Sequence, residues 1–87
     1  MPESLDIRRK RLLFRSRQRG MLETSLLLRA FAERHLDALD EDALDRFEVL
    51  LEANDNDLLD WVVGKKAPPA AVDPHLLDMI KNIRKHE

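Results

Sequence analysis

Sixteen leucines, set against no tyrosine and few β-branched residues, commit this chain to helix. Turn residues then divide it into five segments. The first runs from about Ser4, a Ser suited to N-capping, to about Arg17. The second runs from about Met21 to about His35. The third starts after Asp40, which can cap. Glu41 and Asp42 sit at the positive end of the helix dipole, and Leu39 can staple onto Leu44. Leu44, Phe47 and Leu51 keep the 3.6-residue period. The fourth segment is short, about Asp55 to Val63, capped by Asp55 or Asn56 and ended by Gly64 in the left-handed conformation. Lys65–Val72, with Pro68 and Pro69, cannot continue a helix and forms the longest loop. The fifth begins at Asp73 as N-cap with Pro74 at its first position. Leu76, Leu77, Ile80 and Ile83 form its apolar stripe, and Arg84, Lys85 and His86 suit its negative end. Short connections between amphipathic helices predict an all-α, compact five-helix bundle: one domain over residues 1–87, with its core at about 4–86.

Size and charge narrow the function classes. A chain of 87 residues buries only about 60–65% of its unfolded surface, which leaves little room for a walled catalytic cavity. With no cysteine, disulfides, thiolate metal sites and cysteine nucleophiles are excluded, which fits a reducing compartment. Arg29 interrupts even the apolar run Leu26–Ala32, so no stretch reaches the length of a membrane span. The start of the chain lacks an apolar signal core, and the expectation is bacterial cytoplasm. The net charge of −2 hides a balance of +5 over residues 1–20 and −9 over residues 33–60. One part of the surface should attract anions or acidic partners, and another should repel them.

The junction between the first two segments reads Arg17-Gln18-Arg19-Gly20-Met21-Leu22-Glu23. If Gly20 caps the second helix, Glu23 stands at its third position, where its carboxylate can bond back to the cap amide. In that version Arg19, Gly20 and Glu23 merely make a turn, with Gly20 supplying backbone angles other residues resist. In the functional version the charged pair faces outward around bare backbone, to which a partner can come close, and the guanidinium grips a carboxylate or carbonyl. The first helix carries two apolar stripes: Leu5, Leu12 and Leu13 on one side, Ile7 and Phe14 on the other. One stripe packs on the bundle. The other is covered because the helix is pinched between neighbours, the blander and preferred version, or is left open inside a rim of arginines for a partner.

The remaining polar residues carry little chemistry. His35, His75 and His86 share no ligand spacing and read as surface or capping residues. Trp61 reads as core, and Asp55 and Asp57 read as caps. The acids of residues 33–60 form a solvated face without the order or glycine of a calcium loop. Ser4, Ser16, Thr24 and Ser25 have no histidine nearby in sequence, so no nucleophile–base set is visible and no catalytic residue is assigned. A small nucleic-acid regulator using the Arg8–Arg19 helix on phosphates is the alternative reading; the acidic body counts against it.

The order basic helix, Arg19-Gly20-x-x-Glu23, leucine-rich helix, Phe47-x-x-Leu50-Leu51-Glu52 and Asp55-x-Asp57-Leu58-x-x-Trp61 resembles the succinate dehydrogenase assembly factor 2 family, the small flavinylation factors called SdhE in bacteria. The resemblance spans roughly residues 7–63. Ser25 stands where members often place Asp, and Gln18 where they often have a second Arg. The resemblance implies a five-helix bundle that binds the flavoprotein subunit of succinate dehydrogenase, and in some bacteria fumarate reductase. It also implies help in attaching FAD covalently to a histidine of that partner. Without a Gly-rich phosphate loop or ligand spacing, no cofactor and no metal of the chain's own is assigned. Arg19, Gly20 and Glu23 are then the signature contacts: Arg19 clamps a partner acceptor, Gly20 permits close approach, and Glu23 orients Arg19 or accepts from the partner. Met21, Arg17, Phe14 and Arg11 extend this expected partner surface. The reading requires that the bend between the first two helices stay clear of its own bundle.

Overall fold

The structure is a computed structural model that describes residues 4–85, so the expectations for His86 and for the outer ends of the chain lie outside the described residues. Among the described residues five α-helices follow one another: α1 (Leu5–Arg17), α2 (Leu22–His35), α3 (Glu41–Leu51), α4 (Asp55–Val62) and α5 (Pro74–Lys85). A 3-10 turn over Leu36–Ala38 continues α2 toward α3. That turn has no signal in the sequence. Leu36 supplies the physical reason, because it stays in the core while the chain tightens to leave the helix.

Local chemistry sets most of the boundaries. Ser4 accepts from the Ile7 N–H at 3.2 Å and caps α1. Asp40 accepts from the Ala43 N–H at 2.8 Å and caps α3, with Leu39 and Leu44 on either side of it buried in the same core. Asp73 accepts from the His75 N–H at 2.9 Å just before Pro74. Gly64 ends α4 at φ 82°, a left-handed conformation that costs glycine no Cβ clash. Two starts differ from expectation. α2 begins at Leu22 with Met21 in the capping position and no side-chain cap of its own. α4 is capped by Asn54, whose side chain accepts from the Asp57 N–H at 2.8 Å, rather than by Asp55 or Asn56.

α2 lies at the centre, packed against α1, α4 and α5, and α1 also rests on α3. Leu27, Leu28 and Phe31 of α2 meet Leu12 of α1, Leu44, Phe47 and Leu50 of α3, Leu58 and Trp61 of α4, and Leu77 and Ile80 of α5 in one apolar core. The rings of Phe31 and Phe47 sit tilted with centroids 5.1 Å apart. His35 is half-buried, with its ring 5.3 Å from that of Phe31. The Cα radius of gyration, 12.3 Å, matches a packed chain of this length.

The two stripes of α1 separate. Leu12 is fully buried, and Leu13 packs on the core's edge, while Leu5 at the helix start stays exposed. Ile7 and Phe14 face outward, Phe14 being 62% exposed, so the helix is not pinched between neighbours. No helix among the described residues is long and apolar enough to cross a membrane.

Candidate functional site

The charge asymmetry of the sequence resolves into contact between its two halves. Arg8 donates to Asp45 at 2.6 Å and to Glu48 at 3.0 Å, while Arg11 and Arg15 approach Glu48 at 3.5 and 3.9 Å. Arg9 donates to the Leu39 carbonyl at 2.8 Å, and Arg17 reaches Glu33 on α2 at 3.4 Å. The hydrogen bond from Arg8, with the charge of Arg11 beside it, holds the Glu48 carboxyl below the usual range against the upward push of burial. The basic helix is thus neutralised largely by the chain's own acids. That counts against a nucleic-acid regulator using this helix on phosphates.

The Arg19–Gly20 junction is organised by Asp55, 36 residues further on. Arg19 donates Nε–H to Asp55 Oδ1 at 2.7 Å, Nη1 to the Leu51 carbonyl at 2.7 Å and Nη2 to the Ala53 carbonyl at 2.6 Å. Its side chain is only 9% exposed. Two expectations are therefore corrected: the guanidinium is turned inward and occupied, and the bend is not clear of its own bundle, because Asp55 holds it from within. The reason is the end of α3, where orphan carbonyls need donors and the negative pole of the dipole favours a cation.

Asp55 does the reciprocal work for α2. Its Oδ2 accepts from the Gly20 N–H at 2.8 Å and the Met21 N–H at 3.1 Å, and Thr24 Oγ1 donates to Oδ1 at 2.8 Å. A carboxylate thus stands at the positive end of the helix that has no cap of its own. Burial pushes the Asp55 carboxyl up, but the bonds from Arg19, Thr24 and Met21 outweigh it and hold the group below its ordinary value. One ion pair caps two helices, one by each partner.

Gly20 has a different role from the one expected. Its backbone is not left-handed; positive φ occurs only at Gly64 among the described residues. A Cβ at position 20 would instead lie 3.3 Å from Asp55 Oδ2, so the missing side chain admits Asp55 to the Gly20 amide. The expected bond from Glu23 to the cap amide is absent for the same reason, since Asp55 holds that amide. Glu23 turns to the C-terminal helix, where Arg84 Nε donates to Oε1 at 3.1 Å, and it remains 48% exposed. Ser25 donates to the Arg17 carbonyl at 3.2 Å and ties the end of α1 to α2.

The seven expected residues therefore do not gather in one cluster. Arg19, Gly20 and Met21 surround Asp55, and Glu23 belongs with Arg84. Arg11 faces Glu48, Arg17 faces Glu33, and Phe14 stands on the outer side of α1. Thr24 at Asp55, Arg84 at Glu23 and Leu22, the last 76% exposed, are members of the junction that the sequence does not assign to it. For Asp55 a signal did exist. Asn54 immediately precedes it and can cap α4 alone, which frees the Asp for a distant partner.

Comparison with known proteins bears on this arrangement. A family model described as the flavinator of succinate dehydrogenase matches residues 10–86. The chain belongs to this family of flavinators. Mitochondrial succinate dehydrogenase assembly factor 2 of Danio rerio is 38% identical over 86 residues, 97% of this chain and 54% of its own length. Its counterpart in Aedes aegypti is 38% identical over 82 residues, 92% of this chain and 51% of its own. That of Candida glabrata is 47% identical over 60 residues, 69% and 39% of the two chains. The chain thus spans about half the length of the curated relatives it matches. The flavinator family is one of assembly factors by name, and among the ordered motifs that suggested it, Arg19 and Gly20 of the first meet Asp55 of the last. Among the described residues, no group of three or more His, Asp or Glu side chains is placed to hold a metal ion.

Proposed function

We propose that this chain binds the flavoprotein subunit of succinate dehydrogenase, and in some bacteria of fumarate reductase, and promotes covalent attachment of FAD to it by holding a competent conformation. The observation that carries the reading is the division of the junction. Asp55 holds Arg19, Gly20 and Met21 from the inside, and the next two residues, Leu22 and Glu23, project from the first turn of α2. A fixed backbone beneath an exposed leucine and carboxylate lowers the ordering cost of docking. Met21, Leu22, Glu23, Phe14, Arg11 and Arg17 are assigned as contacts. Arg19 and Gly20 are assigned as positioning residues, the part their geometry supports.

FAD does not fit this chain as its own ligand. A dinucleotide's pyrophosphate calls for free amides at a glycine-led helix N-terminus. At α2, where Gly20 precedes the helix, the Asp55 carboxylate already occupies that position. In this reading flavin and histidine both belong to the partner, and the cofactor supplies the reactivity. The chain contributes by binding the conformer in which those groups meet, which raises its population. The compartment we assign is the bacterial cytoplasm, in keeping with a chain free of cysteine, although the relatives above are named as mitochondrial.

The test is co-expression of the flavoprotein subunit with and without this chain, reading flavin fluorescence on the denatured subunit. The reading expects covalent flavin to rise with the chain present, and to fall again with Leu22→Ser or Phe14→Ser while the bundle stays folded. Equal flavin with and without the chain would overturn it.

A further inference from the structure

The motifs that suggested the family end near residue 63, although the family model runs on through α5, and α5 reaches the junction. Arg84, in the last turn of α5, donates Nε–H to Glu23 Oε1 across 61 positions of sequence. Each partner sits at the helix end that favours its charge, Glu23 in the first turn of α2 and Arg84 in the last turn of α5. Beside them lies an open cleft of about 340 Å³ lined by Glu23, Leu26, Leu27 and Arg84. Leu27 and Ile83 are buried, so the backbones that carry the pair are anchored in the core.

We propose that Arg84 is a positioning residue for docking: it holds Glu23 by one carboxylate oxygen and presents the other to a hydrogen-bond donor on the flavoprotein. This inference rests on the function proposed above and adds α5 to its surface. Three observations support it. Glu23 cannot be held by its own helix, because Asp55 has taken the Gly20 and Met21 amides. Arg84 is the partner of Glu23 among the described residues, and the bond uses Oε1 alone, leaving Oε2 available. Both side chains are about half exposed, 47% and 48%, so their pairing adds little to folding stability and both remain open to a partner. Unheld, a long carboxylate side chain samples several rotamers that docking must then suppress.

The experiment titrates the purified flavoprotein subunit with the full chain as wild type, Arg84→Ala, Arg84→Lys, Glu23→Gln and the Glu23→Gln/Arg84→Ala double variant. We expect Arg84→Ala to weaken binding by about two- to tenfold, the effect of freeing one side chain, with an unchanged thermal midpoint. Arg84→Lys recovers part of the loss. The double variant binds no more weakly than Glu23→Gln alone, because Arg84 acts through Glu23. An equal further loss in the Glu23→Gln background makes Arg84 an independent contact and overturns the proposal, as does wild-type affinity in Arg84→Ala. Three-bond couplings of Glu23 in the free protein separate this from failure of the function itself. Rotamer averaging on Arg84→Ala is required here whether or not the subunit binds, and its absence overturns the proposal. Failure of the wild-type chain to bind the subunit overturns the function and, with it, the docking role.

Discussion

Glu48 and Asp55 each gather arginine from the first nineteen residues, but in different settings. Glu48 meets Arg8, Arg11 and Arg15 on the flank of α1 and α3, where Arg11 and Arg15 are themselves partly solvated. Asp55 meets a single arginine that is almost wholly enclosed, and the pair also satisfies two carbonyls, two amides and a hydroxyl. The first cluster neutralises charge; the second fixes backbone. More cations do not make the stronger site, because a solvated ion pair gains little and an enclosed one depends on every hydrogen bond around it.

Removing Arg19 should have the largest effect. Arg19→Ala leaves Asp55 enclosed without its cation and strips donors from Leu51 and Ala53, a loss of about 3–5 kcal/mol by urea unfolding. For a domain this small that approaches the whole stability. A change of less than about 1 kcal/mol would place Asp55 on a par with Glu48. Gly20→Ala comes next, at about 1 kcal/mol. Its new Cβ presses on an oxygen pinned by two amides and has no left-handed strain to relieve.

Acid sharpens the same contrast. Asp55 and Glu48 both titrate below their ordinary values in the fold, so each contributes stability that is complete above the unfolded carboxylate value and lost as pH falls through the lowered one. Wild-type stability should therefore fall below about pH 4. In Asp55→Asn that fall should be shallower, with the difference read from urea midpoints across pH. Glu48→Ala should cost under about 1 kcal/mol at neutral pH and less still in high salt, which the Asp55 site should resist. Phe14→Ser is the smallest for stability, within about 0.5 kcal/mol, because the ring is mostly in solvent. Its effect should appear in covalent flavin on the partner.

The local grammar of the chain was legible. Ser4, Asp40, Asp73 and Gly64 act within a turn of themselves, and α1, α3 and α5 start where those residues place them. The stripe of α5 was equally plain, with Leu76, Leu77, Ile80 and Ile83 all buried. The functional junction was legible as a place but not as a geometry. Arg19 and Glu23 look like a pair at four-residue spacing, yet their partners lie 36 and 61 positions away, beyond the reach of any periodicity. Gly20 was read through backbone freedom, whereas its reason is the approach of Asp55. Pinching of α1 was the simpler expectation for a two-striped helix, and only the packing of neighbours decides it.

The central claim is that Asp55 clamps the Arg19–Gly20 bend from within and leaves Leu22 and Glu23 to the outside. Hydrogen exchange of the Arg19 Nε–H and the Gly20 amide, followed by NMR in the wild type and in Asp55→Ala, tests it most directly. The clamp predicts slow exchange at both groups in the wild type and fast exchange at both in the variant, with the amides of the α2 interior still protected. Exchange at the free-chain rate in the wild type would contradict it.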